Sequence, residues 1–273
     1  MNIAFISKRT EYAHSTPVME KTFDLLRKRG IKVDLIVPER DLIDLSSLEV
    51  KHDLYILRPG VELGLSIAGI LYRKGARILN DYVACTIVQD KAQVSHDLLM
   101  HGVPTARSFI SGHPAQVMKY LDSHPVIIKP HRGSYGYGVH VLDNQDTDRH
   151  GAYNGVFVQQ YKRPFDDDLK VYVIGKQVMA IRRKFPAQNY DDKIGRPVII
   201  DEQTRQMALK VGEIFNLEIY GLDIIETDEG PLVIDVNYFP GFIGVPNAPE
   251  MLAKYIYDYA SKWENTSSQY ATN

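Results

Sequence analysis

The sequence predicts an α/β fold that opens with a parallel sheet and continues as an α+β arrangement. Three observations carry this expectation. Short apolar runs alternate with amphipathic stretches through the first 85 residues. Residues 169–174 and 177–182 are apolar runs separated by Gly175–Lys176, the mark of a hairpin. Residues 222–226 and 232–236 repeat that pattern around the turn Asp228, Glu229, Gly230 and Pro231.

Each element has its own signal. Residues 2–7 (NIAFIS) read as a strand, and 17–29 as a helix with Val18, Phe23, Leu25 and Leu26 at helical spacing and Gly30 at its end. Strands follow at 32–37, 53–57 and 77–79, with a helix over 62–74 stopped by Gly75. Strand–helix–strand order of this kind implies a parallel sheet. A helix over 90–100 stops at His101–Gly102, before Pro104. A strand over 125–129 runs into the glycine-rich stretch from Gly133 to Gly138, and 156–160 (VFVQQ) is a further strand. Helices are predicted over 201–215 and 249–263, and the Ser/Thr/Asn-rich tail after Glu264 is expected to fray. No internal repeat is visible.

Composition narrows the function classes. The chain has 273 residues, 44% hydrophobic and 24% charged, as a globular protein of two or three subdomains would. A net charge of −2 gives no general pull toward nucleic acid or an anionic membrane, so any anion site must be a local cluster. Cys85 is the one cysteine, which rules out an intramolecular disulfide and a zinc–thiolate cluster and suits a small packed residue. The N-terminus lacks the basic start and longer apolar stretch of a signal peptide. No run approaches the roughly 18 apolar residues of a membrane span. A reducing cytoplasmic location is the expectation.

Three constellations carry chemistry. Lys129–Pro130 precedes Gly133, Ser134, Tyr135, Gly136, Tyr137 and Gly138. Glycines let backbone N–H groups close over phosphates, and a lysine leaving the preceding strand can neutralise them, although glycine clusters are also plain turns. The Walker pattern is absent. The second set is Asp223, Asp235 and Asn237. Residues two apart in a strand share a face, so Asp235 and Asn237 point the same way. The turn at Glu229–Gly230 would bring Asp223 alongside them. Two carboxylates and an amide among apolar strand residues suit a hard cation such as Mg²⁺, with solvent-facing alternation as the plainer alternative. Third, the strand ending in Gln159, Gln160 and Tyr161 could seat an adenine ring.

In this order and spacing the three sets resemble the ATP-grasp superfamily over about residues 80 to 255. The resemblance implies a Rossmann-like domain over 1–88 and a central lobe with a glycine-rich lid over 89–158. It also implies a C-terminal lobe with the metal site over 159–263, and a flexible tail over 264–273. It implies ATP and Mg²⁺, or Mn²⁺ in its place. Lys91 and Lys129 are similar to the two family lysines that contact ATP, and residues 133–138 to the lid. Gln159, Gln160 and Tyr161 are similar to the adenine hinge, with Asp168 joining the nucleotide contacts. Asp223, Asp235 and Asn237 are similar to the metal ligands.

Two branches of that superfamily compete. The ligases phosphorylate a carboxylate and let an amine attack the acyl phosphate. The inositol trisphosphate 5/6-kinase branch phosphorylates a hydroxyl. Asp235 stands where ligases usually carry Glu, and Lys170 where they tend to have Arg. The stretch Val233–Gly241 (VIDVNYFPG) resembles the kinase branch, with Tyr238 and Phe239 where ligases more often have small polar residues. The ligase pattern of Asn followed by paired glycines is missing after Arg183. Against these, the short glycine loop is ligase-like. The balance predicts a kinase acting on a hydroxyl of a polyol or sugar phosphate, with a carboxylate–amine ligase as the alternative and a non-catalytic ATP-binding regulator as a remoter third.

Lys170 and Arg183 are similar to kinase-branch positions that contact substrate phosphates, and the resemblance implies that they are the catalytic contacts to the transferred group or the acceptor. Lys8, Arg9, His14, Arg58, Arg182 and Gly241 are the candidate anchors for a small-molecule acceptor. Arg58 follows a strand end, where open α/β sheets place ligands. The helix carrying Tyr255, Tyr257 and Tyr259 suits either a homodimer surface or core packing.

Overall fold

Strands buried on both faces must be apolar throughout, and residues 3–6 and 54–57 are. The computed structural model describes residues 1–8, 17–58, 62–112, 125–130, 139–142, 156–161, 167–184, 192 and 194–270. In it β1 (Asn2–Ile6), β2 (Lys32–Ile36), β3 (Leu54–Leu57) and β4 (Ile78–Leu79) form a parallel sheet in the order β2-β1-β3-β4. Helices α1 (Pro17–Lys28) and α2 (Glu62–Arg73) are the crossovers. Ile3, Ala4, Phe5 and Ile6 have no exposed surface, nor do Leu54, Ile56 and Leu57. The predicted parallel sheet is thus present.

A short helix that the sequence reading left out, α3 (Tyr82–Val88), follows β4. Asp81 caps it through Oδ1, which accepts from the N–H groups of Val83 and Ala84. Cys85 is fully buried in this helix. Helix α4 (Lys91–Met100) starts at its own cap, Asp90, which accepts from the N–H groups of Ala92 and Gln93.

Two antiparallel sheets follow. The smaller contains β5 (Ser108–Ser111), β6 (Val126–Pro130), β7 (His140–Leu142) and β8 (Val156–Gln160), in the order β5-β8-β6-β7. The larger contains β9 (Asp168–Ile174), β10 (Gln177–Arg183), β11 (Arg196–Val198), β12 (Ile219–Thr227) and β13 (Gly230–Tyr238), in the order β11-β10-β9-β12-β13. Helix α5 (Glu202–Phe215), capped by Asp201, lies between β11 and β12 in the chain. Helix α6 (Ala248–Tyr270) ends the described chain, passing beyond residue 263.

Period-two alternation sorts the larger sheet into two faces. Leu169, Val171, Val173, Ala180, Tyr220, Leu222 and Ile224 are buried on one face, against α5. The Tyr220 hydroxyl donates to Ala208 O of α5 at 2.9 Å. This contact needs Gly212, where an added Cβ would stand 2.3 Å from the Tyr220 oxygen. The opposite face carries the polar residues.

The parallel sheet and its helix α1 are tied to two later parts of the chain. Helix α6 packs on α1, with Lys21 Nζ 2.6 Å from Glu250 Oε1. Asn80, buried at the end of β4, donates through Nδ2 to Ile219 O at 2.7 Å. Its Oδ1 accepts from the N–H groups of Glu218 and Ile219 at 2.8 and 2.9 Å. The side chain therefore clamps the parallel sheet to the start of β12.

Candidate active site

The polar face of the larger sheet is built by register. Asp223 of β12 lies directly opposite Lys170 of β9 on one side and Asp235 of β13 on the other. Asn237 lies opposite Gly221, and Asp168 opposite Arg183. Directly opposed residues share a face, so Arg183, Asp168, Lys170, Asp223, Asp235 and Asn237 line one surface. Asn237 Nδ2 is 3.5 Å from Asp235 Oδ2.

A bulge shapes the centre of this row. Asp223 pairs with Asp235 but Ile224 pairs with Val233, so Ile234 is an extra residue in β13. Its carbonyl oxygen accepts from Lys129 Nζ at 3.3 Å. The bulge is braced from the smaller sheet's side. Val233 N–H donates to Pro104 O, and Thr105 Oγ1 donates to Val233 O at 2.8 Å.

Two carboxylates facing each other across strands repel and require cations. The protein supplies lysines. Lys91 Nζ stands 2.9 Å from Asp235 Oδ1, and Lys170 Nζ stands 2.7 Å from Asp223 Oδ2 and 3.6 Å from Asp168 Oδ2. Burial acts to lower the Lys170 ammonium pKa, but Asp223 and Asp168 hold it above the ordinary lysine value. Lys129 shows the reverse balance. It is 7% exposed, and burial lowers its pKa despite Asp235 nearby. Burial raises the Asp168 carboxyl, against the pull of Lys170.

The donor chemistry fits a hard divalent ion. Two carboxylates and one amide fall short of an all-protein cage, and no group of three His, Cys, Asp or Glu that could hold a metal occurs among the described residues. Mg²⁺ typically takes only one or two carboxylates and completes its shell with water and phosphate oxygens.

The other expected residues sort clearly. Lys129 and Lys91 meet the acidic row from the smaller sheet and from α4. Gln159 is buried with both ends of its amide engaged, as Oε1 accepts from Lys129 Nζ at 2.9 Å and Nε2 donates to Ser108 Oγ at 3.3 Å. Gln160 and Tyr161 are half-buried, and their N–H groups donate to Arg107 O and Pro125 O. Lys8 and Arg58 emerge at the carboxyl ends of β1 and β3. Phe5 meets Phe239 edge-on at 6.5 Å, which joins that end of the parallel sheet to the segment after β13, where Gly241 is half-buried. Arg182 is a correction. It lies on the opposite face, across from Leu169, with Nη1 2.6 Å from Glu226 Oε2, and strand alternation keeps it from the polar row. Arg9, His14 and residues 133–138 lie outside the described residues.

Sequence reasoning missed Tyr172, Ser108 and the bulge at Ile234. Tyr172 sits two residues after Lys170, so strand alternation alone could have placed it on the polar face. The bulge has no local sequence mark.

The whole arrangement, a parallel N-terminal sheet and two antiparallel sheets with lysines facing carboxylates, is that of the ATP-grasp fold. The model of the RimK-like ATP-grasp domain matches residues 88–254. The chain belongs to this family. It is similar to the α-aminoadipate–LysW ligase LysX of Saccharolobus solfataricus, 27% identical over 231 residues that cover 77% of this chain and 84% of that protein. It is 24% identical to a probable α-L-glutamate ligase of Vibrio vulnificus, with 96% of each chain covered. The crystal structure of a RimK-domain ATP-grasp protein from Sphaerobacter thermophilus superposes with a TM-score of 0.74 at 16% identity, covering 93% of this chain and 99% of that one.

These relatives overturn the kinase expectation, because they are named as ligases. The structure supplies the physical reason for the error. Tyr238 and Phe239, read as marks of the kinase branch, are 3% and 0% exposed and belong to the core. Phe239 meets Phe5 of the parallel sheet and the Tyr238 hydroxyl lies 3.5 Å from Gln89 Oε1 at the end of α3, so both report packing rather than the acceptor.

Proposed function

We propose that this chain is an ATP-dependent carboxylate–amine ligase. The observation that carries the reading is the Asp223–Asp235 pair, with Asn237 beside it and Lys91 and Lys129 converging on it from other elements. That is a surface built to hold a polyphosphate and its divalent ion. The ligase relatives supply the acceptor class, a carboxylate of an acidic α-amino acid or a similar small molecule.

In the reaction a carboxylate oxygen of the substrate bonds to the γ-phosphorus of ATP, and the bond to the ADP oxygen breaks. An amine then bonds to the acyl carbon, inorganic phosphate leaves, and the amine loses a proton. Mg²⁺, held by Asp223, Asp235 and Asn237, would offset charge on the phosphates. Lys91 and Lys129 exchange their present partners, Asp235 and the Ile234 carbonyl, for phosphate oxygens. Arg183 and Lys170 sit at the far end of the row, and they neutralise the carboxylate and the acyl phosphate. Lys8 and Arg58, at the strand ends, are the candidate anchors for the rest of the substrate. The division into residues 1–88, 89–158 and 159–263 belongs to this reading.

The test is ADP release from ATP and Mg²⁺ against a panel of acceptors, offered singly and in pairs. A ligase needs a carboxylate and an amine together, and with hydroxylamine as the amine it yields a hydroxamate. ADP release with one hydroxyl compound, and a phosphate monoester in the ³¹P spectrum, would sink the reading. Chelation should abolish turnover, and added Mg²⁺ or Mn²⁺ should restore it.

A further inference from the structure

We infer that Tyr172 is the positioning residue for Arg183. The inference rests on the ligase reading, in which Arg183 meets the acyl phosphate, and it adds a residue that neither the family match nor the sequence motifs assign. Arginine is useful at such a site only if its charge is held in one place, because a long side chain otherwise loses much of its effect to rotamer freedom. Arg183 is the last residue of β10, where the ladder stops helping to fix it. Three contacts take over. Nη2 donates to the Tyr172 hydroxyl oxygen and to Ile243 O, the latter at 3.0 Å. The guanidinium carbon lies 5.8 Å from the centre of the Tyr172 ring.

Tyr172 can act this way because it is itself immobile. It is 5% exposed, in the middle of β9 on the polar face, between Met179 and Gly221 in the ladder. Its ring packs on Phe242 at 5.2 Å with 35° between the planes. Phe242 is fully buried and held in the left-handed region at φ 51°. That conformation is uncommon for a bulky residue and persists only where the surroundings impose it. The same segment supplies Ile243 O, so one loop fixes both the anchor and the second acceptor. With both Nη2 hydrogens engaged, and Nε buried without a hydrogen-bond partner among the described residues, Arg183 has its Nη1 end left to present charge to the site.

The test is a double-mutant cycle. Tyr172→Phe keeps the ring and removes the hydroxyl. It should lower kcat roughly tenfold to a hundredfold, as expected for a lost hydrogen bond to a charged group, while KM for ATP and the thermal midpoint stay near wild type. In an Arg183→Met background the same substitution should cost nothing more. Equal losses in both backgrounds, or a loss confined to the thermal midpoint, would overturn the inference. A second readout does not depend on turnover. Hindered rotation should give Arg183 resolved Nη resonances in ¹⁵N spectra of the whole protein, identified by their loss in Arg183→Lys. They should merge in Tyr172→Leu, and their persistence there would equally refute the role. If no carboxylate supports ADP release in the unmodified protein, the ligase reading fails and the spectra still decide what Tyr172 does.

Discussion

The parallel sheet and the larger antiparallel sheet place polar groups in opposite ways. In β1 and β3 the strand interiors are apolar on both faces, and charge enters only past the strand ends, at Lys8 and Arg58. In β9, β12 and β13 charge sits mid-strand, in a row running Lys170, Asp223, Asp235 across the sheet. The reason is cover. A parallel sheet with helices on its faces keeps charge at its rim, past the strand ends or on the edge strand β2, where Asp34 meets Lys32 and His52. The antiparallel sheet has α5 on one face only, so its other face is free to be a chemical surface. Charges at a rim can change without touching the core, whereas the charged row is part of the ladder itself.

That contrast can be broken at its strongest point. Asp235→Asn should lower turnover on the order of 10³-fold or more, because it removes a proposed metal ligand and the partner of Lys91. The thermal midpoint should stay close to wild type, and near-normal ADP release would remove Asp235 from the site. The matching change in the parallel sheet is Ile56→Ala, at a fully buried position of β3. It should cost about 2–5 kcal/mol in denaturant unfolding and leave kcat per folded molecule unchanged. A large fall in kcat with unchanged stability would mean that the sheets are not divided in this way.

Smaller effects sharpen the boundary between the two regions. Asn80→Ala removes three hydrogen bonds that cross from β4 to the start of β12. A loss of about 1–3 kcal/mol is expected, since the freed backbone groups stay buried. Unchanged unfolding would show that the clamp is redundant. Smallest is Arg182→Gln on the α5 side of the sheet. The pair with Glu226 is partly exposed, so stability should move by about 1 kcal/mol or less and kcat should stay within about twofold. A tenfold fall in kcat would contradict the assignment of faces.

The same contrast explains what could be read from the sequence. Strands with both faces buried announce themselves, and β1 and β3 were legible as apolar runs; the edge strand β2, exposed at Lys32 and Leu35, was legible only from its partly apolar stretch before Pro38. The β12–β13 hairpin was legible too, because its turn and its alternation are local. Strands β5, β7 and β11 were not. They are three or four residues long and carry exposed residues such as Ile110 and Val141, so their neighbours in the sheet define them. Of the site, Asp223, Asp235 and Asn237 came together as expected. The contact of Lys170 with Asp223 was illegible, because it depends on β9 lying next to β12, some fifty residues later. The acceptor was misread through Tyr238 and Phe239, since a motif does not reveal whether an aromatic residue faces the substrate or the core.

The Asn80 clamp also bears on biosynthesis. The parallel sheet is complete in the nascent chain once Leu79 has emerged, yet the partners of Asn80 lie 138 and 139 residues further on. At ordinary translation rates that gap is roughly 7–28 s. Through that interval all four strands of the sheet have been made while the partners of its clamp have not. The face of α1 that receives α6 waits longer still, until residues 248–270 have been made. The parallel sheet is therefore made early and secured late.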